Sequence, residues 1–184
     1  MVGTIGSTLF IQTTNAAPNR RILAMALPDT AIADARTVVP ETRNNIQQAL
    51  LVGGHLVVQT LEDVQSHVRV YATDGTLVDQ LSLPGIGAVD GLSGRADRPE
   101  LFYAYSSYLA PTTVYRYDLA TRQTTVFSPL AQTPLFDPAP YETRQVFYQS
   151  KDGTRIPMFI TMKKGTTLDG SHPTILYAYG GFDI

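Results

Sequence analysis

Apolar residues in this chain fall in short runs that recur on a fixed beat. "LFIQTT" begins at Leu9, "LVVQTL" at Leu56 and "LFYAYS" at Leu101, so the offsets are 47 and 45 residues. Each copy leads into a second run, "RRILAMAL" from Arg20, "SHVRVYA" from Ser66 and "TTVYRYDL" from Thr112. A third run then ends in proline, as "RTVVP" at Pro40, "LSLP" at Pro84 and "VFSP" at Pro129. Weaker apolar segments, "IQQALLVGG" and "GAVDGLSG", precede the second and third copies. The alternation in "VRVYA" and "VYRYDL" predicts strands with one face buried. The Asp-Gly of "TDG" (Asp74, Gly75) predicts a tight hairpin turn.

About four short strands in each unit of roughly 40–50 residues is the sequence signature of a β-propeller blade. An evenly spaced β-sandwich is the alternative, but the matched proline exits favour blades. Three blades fall short of the about 4–8 that close a propeller ring. The expectation is a mainly β chain, a partial propeller of about three four-stranded blades over residues 1–132, with further blades upstream. Open sheet edges of that kind favour aggregation or assembly with a partner piece.

The rhythm breaks at "AQTPLFDPAPYETR". Pro134, Pro138 and Pro140 cannot donate to a strand ladder, so residues 133–141 read as an extended linker. Beyond it, "TRQVFYQS" and "TRIPMFITMKK" alternate around "KDG", predicting a hairpin that opens a second region over residues 142–184. Asp152 and Gly153 supply its turn. "TILYAY", from Thr174, is almost uniformly apolar and predicts a strand covered on both faces, as in an α/β sheet. His172, just ahead of it, has no partner at motif spacing and reads as a turn residue.

Composition narrows the chemistry. At 43 % apolar the chain can bury a core, which disfavours disorder. A net charge of −2 argues against a nucleic-acid partner, which would favour a basic face. With no cysteine there is neither a thiolate nucleophile nor a zinc-thiolate site, and His55, His67 and His172 lie too far apart for a helical metal pair. No apolar run reaches the about 18 residues of a membrane span, and the first residues carry no signal-peptide pattern. No metal, cofactor or membrane partner is expected. A cytoplasmic location is the expectation, with the periplasm left open.

The last residues, "TILYAYGGFDI", carry the candidate chemistry. A strand running into a glycine-rich loop is how α/β-hydrolases place part of the oxyanion hole. Donors there must point at the oxygen that becomes negative as the acyl carbon turns tetrahedral, and losing one costs about 3–4 kcal/mol of transition-state stabilisation. The Tyr179 hydroxyl is a candidate donor, and Gly180 and Gly181 permit a sharp turn. Tyr-Gly-Gly alone serves equally well as a strand-end turn with a packed tyrosine. Asp183 reads as a cap or a solvated residue.

Residues 147–182, with "SKDGTRIPMFI" and "YGGF" in order, closely resemble the start of the peptidase domain in the prolyl oligopeptidase family, and "YSSYLAPTTVYRYDLAT" is similar to that family's final blade. The resemblance implies a seven-bladed propeller joined to an α/β-hydrolase domain, of which residues 142–184 would be the first strands. It implies a serine endopeptidase acting on short peptides after proline. It matches Tyr179 to an oxyanion-hole tyrosine, Phe182 to a wall of the proline pocket, and Gly180 and Gly181 to the turn between them. The partners implied are short proline-containing peptides and the remainder of such an enzyme.

Nucleophilic catalysis needs an activated serine with a base and an orienting group, the serine sitting on a G-x-S-x-G elbow in an α/β-hydrolase. No such pattern occurs in these residues. In "DGLSGRAD" Ser93 is one position out of frame, and Ser106 and Ser107 read as blade residues. The chain alone is therefore expected to be inactive. The alternative function is a non-catalytic propeller acting as a binding module.

Overall fold

A computed structural model describes residues 1–28, 31–129 and 136–178. Twelve strands form three consecutive four-stranded antiparallel meanders. The first holds β1 (Gly3–Ile5), β2 (Thr8–Thr13), β3 (Arg21–Ala26) and β4 (Arg36–Val39). The second holds β5 (Asn45–Val52), β6 (His55–Glu62), β7 (Gln65–Tyr71) and β8 (Leu77–Gln80). The third holds β9 (Ala88–Gly94), β10 (Glu100–Ser107), β11 (Ala110–Asp118) and β12 (Gln123–Pro129). Each runs in chain order across its sheet, because short turns can only join antiparallel neighbours. The sequence repeats thus fall on the second strand of each sheet, and the weaker segments ahead of them are the first strands β5 and β9.

The sheets stack face to face, and their first strands approach one another, β5 meeting both β1 and β9. This is a radial arrangement of blades. Between the first and second sheets lie Phe10, Ile22, Ala24, Val38, Val39, Ile46, Leu51, Leu56 and Val58. Between the second and third lie Val52, Val57, Val68, Val70, Val89, Leu92, Leu101, Tyr103, Tyr105 and Tyr117. Strand β6 shows the logic. Leu56 and Val58 face one neighbour and Val57 the other, as a period of two requires when both faces are covered.

The two Asp-Gly turns form as the sequence predicts. In the first, Gly75 takes a φ of 100° and the Asp74 carboxylate accepts the Thr76 N–H at 2.8 Å. In the second, Gly153 takes a φ of 83° and Asp152 accepts the Thr154 N–H at 2.9 Å. That second turn closes a hairpin of β13 (Tyr141–Gln149) and β14 (Arg155–Lys163), paired without a bulge from Tyr141↔Lys163 to Gln149↔Arg155.

Two expectations are corrected. "LSLP" is not the closing strand of the second unit, because β8 lies earlier and stops at Gln80. Beyond it only the Leu81 N–H still reaches the ladder, at 2.9 Å from the Val68 carbonyl, and the Leu81 side chain turns into the core. "TILYAY" forms no strand in its described part, residues 174–178. Ile175 is 95 % exposed and Leu176 and Tyr177 are nearly as open. A strand of this composition is stable only with neighbours on both sides, and among the described residues nothing pairs with it. No α/β-hydrolase sheet forms among the described residues of the region 142–184, where β13 and β14 make an isolated two-stranded antiparallel hairpin instead. Among the described residues, no helix is long and apolar enough to cross a membrane.

Candidate functional site

Tyr179, Gly180, Gly181 and Phe182 lie outside the described residues, as does Asp183. The path towards them is described. It leaves β14 at Lys163, turns where the Thr166 N–H donates to the Lys163 carbonyl at 3.2 Å, and passes Asp169, whose carboxylate accepts the Ser171 N–H at 2.9 Å. Hydrogen bonding from Ser171, its hydroxyl first and its backbone N–H second, lowers the Asp169 carboxyl below the ordinary range. The His172 carbonyl accepts the Thr174 hydroxyl at 3.1 Å, so this histidine sits in an exposed turn as its surroundings in sequence suggest.

The serines singled out in the sequence have structural partners. Ser106 donates to the Asp90 carboxylate at 3.3 Å, and the Ser107 hydroxyl accepts the Leu109 N–H at 3.2 Å. Ser93 lies within β9, opposite Phe102. Asp152 is a turn residue, its carboxyl lowered chiefly by the Thr154 backbone bond.

What the sheets do hold is a set of polar clamps at their interfaces. Gln59, buried on β6, donates its amide to the Val89 carbonyl at 2.9 Å, while the Ser66 hydroxyl accepts the Val89 N–H at 3.0 Å. One turn of the β9 ladder further on, Gln48 both donates to the Leu92 carbonyl at 3.1 Å and accepts the Leu92 N–H at 3.0 Å. Between these points β9 bulges, and Gly91 takes a φ of 83°. The clamps satisfy main-chain groups that the bulge and the sheet edge would otherwise leave buried and unpaired.

The first interface repeats the device. Gln12, at the same place in its repeat as Gln59, donates to the Ile46 carbonyl at 3.4 Å, and Arg20 donates to the same carbonyl at 2.7 Å. β5 also shifts register just after Ile46. Gln12 and Arg20, with Thr13 and Thr14, line a shallow polar depression of about 280 Å³ whose lining has no carboxylate or imidazole. The sequence held the signal for these clamps, since "QT" stands at one offset in "LFIQTT" and "LVVQTL", whereas the third repeat has Ala104 there.

Further ties join the outer strands. Tyr117 on β11 donates to the Asp79 carboxylate on β8, and burial followed by that neighbouring anion raises the phenol above its ordinary range. Arg36 donates to the Asp74 and Thr73 carbonyls at 2.9 and 3.1 Å, binding the first sheet to a turn of the second. On β6 and β7, Arg69 donates to Glu62 at 2.5 Å, and that bond is the main cause holding the Glu62 carboxyl below its usual range.

These ties fix three blades but, among the described residues, assemble no nucleophile, and identity rests on likeness. A family described as "Prolyl oligopeptidase, N-terminal beta-propeller domain" matches residues 1–129. A prolyl endopeptidase of Elizabethkingia miricola is 36 % identical over 186 residues, covering 100 % of this chain and 26 % of that protein. A dual function macrocyclase-peptidase of Amanita bisporigera is 32 % identical, covering 97 % of this chain and 25 % of that protein. Among solved structures, one from a study of two prolyl endopeptidases and their inter-domain dynamics superposes with a TM-score of 0.85 at 33 % identity, over 98 % of this chain and 27 % of that one. Prolyl oligopeptidase B of Galerina marginata, bound to a 35mer hydrolysis and macrocyclization substrate, gives 0.80 at 29 % identity, over 97 % and 25 %. The chain spans about a quarter of the length of the curated relatives it matches. With its matched blades making up most of its length, the chain belongs to the prolyl oligopeptidase N-terminal β-propeller family.

Proposed function

We propose that the chain supplies propeller blades and the first part of the peptidase domain of a prolyl oligopeptidase-type serine endopeptidase, an enzyme that hydrolyses short peptides on the C-terminal side of proline. Residues 1–132 are the blades, 133–141 the linker and 142–184 the opening of the α/β-hydrolase domain. The observation that carries this reading is the reach of the likeness to prolyl endopeptidase, which extends over the whole chain and so past residue 129, through the hairpin and the Tyr-Gly-Gly-Phe end.

In this reading Tyr179 donates its phenolic hydrogen to the oxyanion of the tetrahedral intermediate. Gly180 and Gly181 form the tight turn that sets it there, and Phe182 is one wall of an apolar slot for the pyrrolidine ring. The exposed, apolar residues 174–178 fit the same reading, because a sheet of further strands would cover them. No cofactor takes part. A propeller acting purely as a binding module would leave this run, and the hairpin ahead of it, without a purpose.

The test is a chimera in which residues 1–184 replace the matching quarter of the Elizabethkingia miricola enzyme, assayed with a chromogenic proline peptide. Cleavage after proline is expected, with kcat falling about 10²–10³-fold in Tyr179→Phe. Wild-type turnover in Tyr179→Phe overturns the assignment. The 184-residue chain alone, having no G-x-S-x-G elbow, is expected to resist labelling by a fluorophosphonate probe.

A further inference from the structure

The hairpin β13–β14 touches the blades at two turns that hold equivalent places in successive sheets. The first joins β6 to β7. Its central residues, Asp63 and Val64, both adopt left-handed backbone, with φ of 46° and 67°. Two-residue hairpin turns of this kind favour Asn-Gly or Asp-Gly, and a β-branched valine at positive φ is strained. Strain persists where the surroundings hold it, and it concentrates at clamps and switches. Val64 is 54 % exposed, so packing does not account for it.

The strained turn presents its polar groups to the hairpin. Gln145 on β13 donates its amide to the Asp63 carbonyl at 2.5 Å and accepts the Gln65 amide at 2.6 Å. One side chain is thus held at both ends by one turn. The Asp63 carboxylate also lies 3.7 Å from the guanidinium of Arg155 on β14. That guanidinium rests over the Phe147 ring, 3.2 Å from its centroid, which keeps it beside the turn. The second turn joins β10 to β11, and there the Tyr108 ring centroid is 5.9 Å from that of Phe159.

We propose that the β6–β7 turn is a latch for the hairpin. Asp63 and Gln65 receive Gln145, Arg155 closes from the side, and Tyr108 gives a second foothold on the next blade. The hairpin is thereby strapped across the seam between the second and third sheets, so that the chain leaving Lys163 starts from a fixed place. A two-stranded hairpin is marginal by itself in water, so its persistence depends on such an anchor. This goes beyond the enzymatic reading and does not depend on it.

Hydrogen exchange by mass spectrometry on the full 184-residue chain tests the latch. Peptides from 141–163 should be protected in the wild type. In Gln145→Ala their exchange should quicken by about five- to thirtyfold, the effect of losing one or two net hydrogen bonds, while β6 and β10 stay slow. Arg155→Gln should give a smaller rise in the same peptides. Should Gln145→Ala fail to fold, Gln145→Asn, one methylene too short to reach the turn, serves instead. Hairpin exchange that is unchanged in these variants, or already unprotected in the wild type, overturns the proposal. So does exchange that quickens equally in the hairpin and in the sheets.

Discussion

Strands β6 and β14 are both rich in apolar residues, yet they meet opposite fates. In β6 the five residues from Leu56 to Thr60 are all buried, the alternate ones serving two different interfaces. In β14, "IPMFI" stands among nine residues of which none is fully buried. The difference lies in neighbours. β6 sits inside a four-stranded sheet with a blade on either side, whereas β14 has, among the described residues, one paired strand and the Arg155 foothold on the Asp63 turn. Apolar sequence shows what a strand can bury, and its place in the stack decides what it does bury.

The contrast is sharpest under truncation. Leu56→Ala should cost about 2–5 kcal/mol in denaturant unfolding, since the buried side chain leaves a cavity between two blades. Ile160→Ala on the half-buried hairpin should cost about 1 kcal/mol or less. Equal losses at the two positions would mean that the hairpin is part of the same cooperative core.

A smaller effect separates the two interfaces. Gln59→Ala strands the Val89 carbonyl in a dry interface and should destabilise by about 1–3 kcal/mol. Gln12→Ala should cost less, because the Ile46 carbonyl keeps its bond from Arg20. The reverse order, measured in the same unfolding experiment, would show that Arg20 and not Gln12 is dispensable there.

The smallest effect is electrostatic. The folded-state carboxyl of Glu62 is lowered, so its pair with Arg69 stabilises the native state above the unfolded value and loses that contribution as pH falls through the folded value. The melting temperature should therefore decline below about pH 4.5 and do so less steeply in Glu62→Gln. An identical acid profile in the variant would remove Glu62 from the account. High salt should blunt the difference, as the pair is partly open to solvent.

Much of the scaffold is legible in sequence because it rests on local pattern. The period of the repeats gives four strands per blade, and the two Asp-Gly pairs give turns that the backbone needs at Gly75 and Gly153. Even here environment adds what pattern lacks. A Cβ at Gly75 would run into the Val38 carbonyl of the neighbouring sheet, whereas at Gly153 it would meet open space. The sequence places the end of β8 too late because "LSLP" has a strand's composition, whereas pairing with β7 stops at Gln80 opposite Arg69 and only the Leu81 N–H continues it. "TILYAY" differs for the opposite reason, since its composition predicts a strand with partners that no described residue provides. As for the candidate site, only its motif was legible. The clamps are hard to read from sequence because a glutamine's value depends on which backbone faces it across 30 or more residues of chain.

The clamps have one consequence for how this protein tolerates sequence drift. Gln48 and Gln59 grip amides and carbonyls, groups that almost every amino acid supplies alike. Side chains along the gripped edge of β9 are therefore free to vary so long as they fit, except that proline at Leu92 or Val89 would withdraw the hydrogen that Gln48 or Ser66 accepts. Constraint falls on the side that reaches across, and a blade boundary can diverge on one flank while two glutamines hold the other still.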